Sequence, residues 1–199
     1  MKTTIFTIAL LTATILGTSN STFAATGKTE QATTTTLTNV SNISEIEIRG
    51  NVELYVSAGT TDQVKVYNNY YSNNALVQDD KGVLRIASYS TQKLTVWVTA
   101  NQLAKLSAYD NATVKSFGKL SAINLDVELY NNASAQLNMD AFAANVKVND
   151  NAKANLTGNV NEGSLKANIT ANLNTKDLKV SHLAKTAEVK SEEVELALL

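Results

Sequence analysis

The sequence predicts an all-β chain, folded as a parallel β-helix (solenoid) of about seven coils with roughly 18 to 21 residues each. Three observations predict it: segments with apolar residues at every second position, a polar turn that recurs at nearly constant spacing, and the absence of proline. Alternation is typical of strands, and a period near twenty is typical of coils that stack to bury a shared core. Proline would remove a backbone donor from any interior strand.

The recurring turn is clearest in "LSAYDNATV", "VELYNNASA" and "VKVNDNAKA". Aligning the last polar residue of each turn gives spacings of 18, 21, 21, 21, 19 and 19 residues along one series: Asn51, Asn69, Ser90, Asn111, Asn132, Asn151 and Thr170. Apolar residues stand five and three positions before these turns. Arg85 is the exception, and a one-residue slip brings Leu84 and Ile86 into register.

The turns predict a ladder at the corners between strands. Asn and Asp adopt the left-handed backbone conformation more readily than other residues with side chains, and stacked amides can bond from one coil to the next. A β-sandwich would instead need hairpin turns such as Asn-Gly or Asp-Gly, which the chain lacks. The predicted structural ladder consists of Asn51, Asn69, Asn111, Asn132 and Asn151.

The domain organisation follows from composition. Residues 1–24 are predicted to be a signal peptide, because Lys2 precedes an apolar run from Ile5 to Leu16 and small residues up to Ala24. An uncleaved N-terminal anchor is the alternative, although the run is shorter than the roughly 20 residues that span a bilayer. Residues 25–42 form a Thr-rich arm, and residues 43–199 form the folded domain with a C-terminal cap. We therefore expect export to the periplasm, the cell surface or the medium, and no membrane span in the mature chain.

Several functional classes are disfavoured. Lys and Arg number 17 against 18 Asp and Glu, so no basic stripe suits nucleic acid. The chain has no cysteine, and His182 is its only histidine, so we expect no catalytic set, no metal site and no cofactor. A cation site at Asp110 and Asp150 is the functional alternative for these turns, but two coils separate the two carboxylates by roughly 9.6 Å, too far to share an ion without other ligands. The residues about four places before each aligned turn residue are expected to point outward, and their charges have mixed signs, which predicts an ion-paired surface. They are Glu47, Lys65, Arg85, Ser107, Glu128, Lys147 and Lys166.

Aromatic residues give the one indication of binding. Tyr67, Tyr109 and Tyr130 share the position two residues before the aligned turn residue, and exposed tyrosines beside Asn and Asp suit sugar rings. The alternative is that these tyrosines shield the sheet at the corner. Trp97, in "LTVWV", lies on the face opposite Val96, either as a surface anchor or as cover beneath the N-terminal arm.

The segments "ISEIEIRGNVELYVSAGTTDQVKVY" and "LTVWVTANQLAKLSAYDNATV", with the later Asn turns, resemble the auto-transporter adhesin family with the head GIN domain, from about Ile43 to Val180. This is a family of exported bacterial proteins, many from Bacteroidota. The resemblance implies a right-handed β-helix and an adhesin-like role, and it supplies no catalytic motif.

The function expected from these observations is that of an exported, non-catalytic binding module for glycan or cell-envelope material. A structural envelope protein without a discrete ligand is the alternative, and a polysaccharide-active enzyme is a distant third. An open end of the solenoid also leaves a homodimer as one arrangement, because unpaired strand edges can pair with a second copy.

Overall fold

The computed structural model describes residues 34–37, 40–67 and 75–184, and the regular structure within them is entirely β-strand. Thirteen strands form one sheet. Their bounds are β1 Thr34–Leu37, β2 Glu45–Gly50, β3 Val52–Ala58, β4 Gln63–Tyr67, β5 Ala75–Asp80, β6 Val83–Ser88, β7 Leu94–Ala100, β8 Lys105–Ala108, β9 Thr113–Ser116, β10 Leu120–Leu129, β11 Ser134–Val148, β12 Lys153–Ala167 and β13 Asn172–Leu183.

The sheet has two walls that share their longest strands. In the first wall, β6, β2, β8, β10 and the second half of β11 lie side by side and parallel. In the second wall, β7, β3, β9 and the first half of β11 are parallel, and β4 and β1 complete the edge. Strands β12 and β13 extend both walls beyond β11. The inner faces carry alternating Ile, Leu, Val and Ala side chains, which form one continuous core.

The predicted solenoid of seven parallel coils, right-handed by resemblance, is wrong. The sheet is a mixed parallel and antiparallel open half-barrel. Strand β4 runs antiparallel to β1 and β7, and β5 runs antiparallel to β6. The first repeats also do not stack in sequence order, because β2 pairs with β6 and β8 rather than with β4.

A hairpin that the sequence reasoning overlooked explains part of this difference. Lys81 and Gly82 connect β5 to β6 with φ angles of 53° and 83°, and Asp80 pairs with Val83 across the turn. Two successive positive φ angles are the signature of a type I′ hairpin turn, for which Asn-Gly and Asp-Gly are only the commonest sequences. A Cβ at Gly82 would lie 2.5 Å from the carbonyl oxygen of Asn42, so this position also needs glycine for space.

The predicted apolar columns are confirmed where strands stack in sequence order. Leu106 pairs with Val127, Val127 with Val146, and Val146 with Leu165. The slip proposed around Arg85 is confirmed as well, since Ile46 lies opposite Leu84. The alanines that follow three of the turns are fully buried: Ala112, Ala133 and Ala152. The repeat is therefore real from β8 onward, and it does not extend over the whole sheet.

Some predictions lie outside the described residues: the signal peptide at 1–24, the arm before Thr34, the turn at Asn69 and the C-terminal segment 185–199. Within the arm, β1 pairs with β4. In the described part of the chain, no helix is long and apolar enough to cross a membrane.

Candidate functional site

The corners join the first wall to the second wall, and four of them contain one residue with a left-handed backbone. That residue is Asp110 with φ 59°, Asn131 with φ 57° and Asp150 with φ 54°; Gly50 takes the same role with φ 78°. The left-handed residue thus stands one position before Asn51, Asn111, Asn132 and Asn151. In the corners after β8, β10, β11 and β12 the alanine N–H donates back to a carbonyl three residues earlier, as in Ala133 to Tyr130 at 3.1 Å.

A side-chain ladder links these corners. The Gly50 N–H donates to Asp110 Oδ2 at 3.1 Å, the Asp110 N–H to Asn131 Oδ1 at 3.2 Å, and the Asn131 N–H to Asp150 Oδ2 at 2.8 Å. A backbone ladder runs beside it, because Asn132 N–H donates to the Asp110 carbonyl at 2.9 Å. The Asx oxygens are therefore used as hydrogen-bond acceptors within the scaffold. The described residues contain no group of three or more His, Cys, Asp and Glu side chains able to hold a metal ion.

Tyr109 and Tyr130 form a stacked pair at the start of neighbouring corners. Their ring centroids lie 4.9 Å apart with an interplanar angle of 3°. The Arg49 guanidinium covers the other face of Tyr109, 4.0 Å from its centroid. Burial raises the pKa of the Tyr130 phenol above its usual value. Three of the four ring faces of this tyrosine pair are thus covered by protein groups, so little aromatic face remains for a ligand.

The outward side of the first wall is ion-paired around Glu47 and Glu128, which is part of what the mixed charge column predicted. Of the same column, Lys65 lies on the second wall, Ser107 is buried, and Lys166 joins none of the ion pairs of the described residues. Glu128 accepts from Lys147 at 2.8 Å and also lies 3.7 Å from Lys105. Glu47 likewise forms ion pairs with two cations, Arg49 and Arg85. The hydrogen bond from Lys147 lowers the pKa of the Glu128 carboxyl. We call this surface the ion-paired wall and define it by its charged residues: Glu45, Glu47, Arg49, Arg85, Lys105, Asp126, Glu128 and Lys147.

Tyr67 lies in a different place, on the outward side of the second wall. It meets Trp97 edge-on, with ring centroids 6.3 Å apart. Trp97 also stacks on Tyr55 at 4.7 Å and contacts Phe117 at 5.3 Å. Phe117 is 63% exposed, whereas Tyr55, Tyr67 and Trp97 are half-buried. The predicted tyrosine column is therefore divided: Tyr109 and Tyr130 stay together, and Tyr67 belongs to this aromatic cluster with Tyr55, Trp97 and Phe117.

Polar groups continue the surface of the aromatic cluster across the sheet. One row of directly opposed residues crosses β4, β7, β3, β9, β11, β12 and β13: Lys65, Trp97, Tyr55, Lys115, Gln136, Asn155 and Asn174. The Asn174 amide donates to Asn155 Oδ1 at 3.1 Å. Hydroxyl groups line the neighbouring rows, where Ser134 donates to Thr113 at 3.2 Å and Ser57 bonds Thr99 at 3.1 Å. We call this surface, the outward side of β4, β7, β3, β9 and the first halves of β11 and β12, the aromatic wall.

Charge on the aromatic wall is one-sided. Lys65, Lys115 and Lys153 lie on its strands with Glu53 and Asp140, and Lys93 and Lys119 lie at its border. Lys115 donates to Glu53 at 2.7 Å and lies 5.4 Å from the centroid of the Tyr55 ring. Because Lys115 donates this bond, the pKa of the Glu53 carboxyl is lowered.

The sequence reasoning missed Tyr55 and Phe117. Tyr55 had a readable signal, since it alternates with Leu54 and Val56 in "VELYV" as Trp97 alternates in "LTVWV". Phe117 follows β9 and does not occupy any of the repeated positions aligned on the turns, so no periodic signal could identify it. His182 lies far along the chain on the exposed β13, where it lines a shallow cleft of about 540 Å³ with Glu162 and Leu183.

The family "Putative auto-transporter adhesin, head GIN domain" matches residues 42–192. The chain belongs to this family. Solved structures share its fold: a "putative adhesin" from Bacteroides fragilis is 16% identical, with a TM-score of 0.63 over 77% of this chain and 75% of that chain. A second from Parabacteroides distasonis is 16% identical, with a TM-score of 0.58 over 77% and 76%. A third, from Parabacteroides merdae, is 13% identical, with a TM-score of 0.57 over 78% and 77%. No curated protein matches the chain.

Membership of a head GIN domain family described as adhesin is in keeping with an exported or surface protein that binds cell-surface material rather than with an enzyme. At identities of 13% to 16%, these solved structures show the fold alone.

Proposed function

We propose that this head GIN domain is an exported, non-catalytic binding module that recognises glycan or cell-envelope material through its aromatic wall. The observation that supports the proposal most is the aromatic cluster, in which Tyr67 and Trp97 adjoin the exposed Phe117. Sugar rings present apolar C–H faces and hydroxyl groups, and they are bound by aromatic side chains flanked by hydrogen-bonding groups.

The hydrogen-bonding groups have the required arrangement. Thr95, Thr113 and Ser134 lie in one row, and Gln136 and Asn155 lie in the next, all on strands with a regular spacing of roughly 4.8 Å. A flat, repetitive surface of this kind suits an extended polymer with repeating hydroxyl groups. It offers no enclosed pocket in which a reaction centre could be shielded from water.

The tyrosine pair supports a second candidate, that of a structural envelope protein without a discrete ligand. Tyr109 and Tyr130 cover one another, and Arg49 covers Tyr109. If substitutions in the aromatic cluster also left binding unchanged, then the cluster and the tyrosine pair would both be part of the scaffold. We assign Tyr67 to the ligand surface and the tyrosine pair to the scaffold.

The test replaces one exposed phenylalanine at a time. Phe117→Ala removes the exposed ring of the aromatic cluster, whereas Phe142→Ala removes a ring of similar exposure, 54% against 63%, from β11 outside the cluster. Retention of the purified chain is measured by affinity electrophoresis in gels that contain mannan, dextran, polygalacturonate or its methyl ester. A stacked ring is worth about 0.5–1.5 kcal/mol, so Phe117→Ala should weaken the retained interaction roughly two- to tenfold.

The matched variants separate the candidates. Phe142→Ala is expected to be retained as strongly as the parent chain. Equal retention of the two variants would contradict the assignment of the ligand surface to the aromatic cluster. Failure of the parent chain to be retained by any of the four polymers would favour the structural candidate, and cleavage of a polymer would favour an enzyme.

A further inference from the structure

We propose that the polymer bound by the aromatic wall is acidic, a polysaccharide that carries carboxylate or phosphate groups. This inference rests on the proposed function and adds the charge class of the ligand. Five lysines, Lys65, Lys93, Lys115, Lys119 and Lys153, and two acidic residues, Glu53 and Asp140, lie on the aromatic wall or at its border, although the chain as a whole has a formal net charge of −1. The excess of positive charge is therefore local to the surface that carries the exposed ring of Phe117.

Two of these lysines are available to a ligand. Among the described residues, neither Lys65 nor Lys153 takes part in an ion pair with a carboxylate; the pairs join other residues. Lys115 is engaged by Glu53. At the border of the wall, Lys119 lies 3.7 Å from Asp140, so this pair adds no net charge.

The positions of these lysines indicate an elongated ligand rather than a small anion. Lys65 lies on β4, directly opposite Trp97 of β7. Lys153 lies on β12, directly opposite Ser134 of β11. Strands β7, β3, β9 and β11 separate them, and five spacings of roughly 4.8 Å place their backbones about 24 Å apart. The aromatic cluster and the hydroxyl and amide rows fill the interval. A chain of several sugar units could contact the rings in the middle and a lysine at either side.

The ion-paired wall serves as the internal reference. It carries four basic and four acidic residues, Glu45, Glu47, Arg49, Arg85, Lys105, Asp126, Glu128 and Lys147, and its cations are joined to neighbouring carboxylates. Its lysines therefore already have counter-ions in the protein. Removing the same number of lysines from either wall changes the net charge equally. A difference in affinity between the two variants therefore shows binding at one wall rather than a general effect of net charge.

The test compares polygalacturonate with its methyl ester, two polymers with the same backbone that differ in charge, and adds a phosphomannan to separate phosphate from carboxylate. The Lys65→Gln, Lys153→Gln double variant is compared with a Lys105→Gln, Lys147→Gln double variant of the ion-paired wall, which loses the same net charge. Exposed ion pairs are weak and salt-sensitive, so we expect the first variant to lose about two- to thirtyfold in affinity for an acidic polymer at low salt. The second variant is expected to bind as the parent does.

The outcomes distinguish this inference from the proposed function. Equal affinity for polygalacturonate and its methyl ester would overturn the acidic ligand and leave the glycan-binding function intact. Equal losses in both double variants would also overturn it, because the effect would then be general. If no polymer binds, the proposed function fails with it. Binding to phosphatidylglycerol vesicles with the same lysine dependence, and to no polysaccharide, would show that the acidic partner is a lipid surface instead.

Discussion

The ion-paired wall and the aromatic wall use the same backbone for different purposes. Both place apolar side chains inward at every second residue, and both are built mainly from parallel strands. On the ion-paired wall, however, Glu128 is held by Lys147, and Tyr109 is covered by Tyr130 and Arg49. On the aromatic wall, Phe117 is exposed and Lys65 has no carboxylate partner among the described residues. Groups that satisfy one another stabilise a fold, whereas groups left unsatisfied at a surface can be used by a partner.

The largest effect is expected at the corner between the walls. Asn131→Val places a β-branched residue at φ 57° and removes the oxygen that accepts from Asp110 N–H. Such a backbone conformation costs about 1–3 kcal/mol, and the lost hydrogen bond adds about 1 kcal/mol, so we expect the free energy of unfolding to fall by about 2–4 kcal/mol. Urea denaturation measures the difference.

Asn131→Gly provides the control at the same position. Glycine tolerates the left-handed conformation and also lacks the acceptor, so it should lose only the hydrogen-bond contribution. Equal losses for the valine and glycine variants would mean that the corner conformation contributes nothing. An unchanged affinity for polysaccharide in both variants would support the assignment of the corner to the scaffold.

A double-mutant cycle on the tyrosine pair sharpens the comparison of the two walls. Tyr109→Ala, Tyr130→Ala and the double variant should show a coupling energy of about 0.5–1.5 kcal/mol in unfolding, the value typical of stacked aromatic pairs. We expect the affinity for polysaccharide to stay within twofold of the parent, a margin of about 0.4 kcal/mol. Loss of retention in the double variant, with an unchanged circular-dichroism spectrum, would instead place Tyr109 and Tyr130 in the ligand surface.

The pH dependence of stability tests the ion pairs. The pKa of Glu128 is lowered by the hydrogen bond from Lys147, and that of Glu53 by the bond from Lys115. A carboxyl group whose pKa is lower in the folded state stabilises the fold above its unfolded pKa of about 4.3 and loses that contribution as the pH falls toward the folded pKa. The melting temperature should therefore fall below about pH 4.5, and more gently in Glu128→Gln than in the parent. Identical slopes for the two proteins would show that this pair does not contribute.

The sequence predicted the local pattern better than the arrangement of strands. Period-two alternation identified the inward residues of nearly every described strand, and the register between Val127 and Val146 followed from the repeat. The direction of β4 and β5 could not be read in this way, because an alternating strand buries the same face whether its neighbour is parallel or antiparallel. The Lys81–Gly82 turn held that information, and it lay in a dipeptide that forms hairpins less often than Asn-Gly.

The candidate site shows the same limit. Tyr67, Tyr109 and Tyr130 share a position in the repeat, yet β4 pairs with β1 and β7 of the second wall and so places Tyr67 there. The aromatic cluster joins four segments of the chain through pairings that no repeat relates, so Phe117 and Trp97 meet only in three dimensions. The pair of Glu128 with Lys147 was predictable because the two residues are one repeat apart, whereas Lys65, from the same predicted column, lies on the aromatic wall.

The smallest effect is expected from Glu53→Gln, which would make the two walls more different. Glu53 lies two residues before Tyr55 on β3, and it accepts from Lys115 at 2.7 Å. The substitution keeps the shape of the side chain, removes its charge and leaves the Lys115 ammonium available to a ligand. If the ligand is acidic, affinity should rise by about two- to threefold at low salt, in line with one exposed ion pair, and the gain should vanish at high salt.

The matched change on the other wall, Glu128→Gln, should leave affinity unchanged, because Lys147 lies away from the aromatic cluster. A gain in both variants would indicate attraction by net charge alone, and a loss in Glu53→Gln would mean that Glu53 itself contacts the polymer as a hydrogen-bond acceptor.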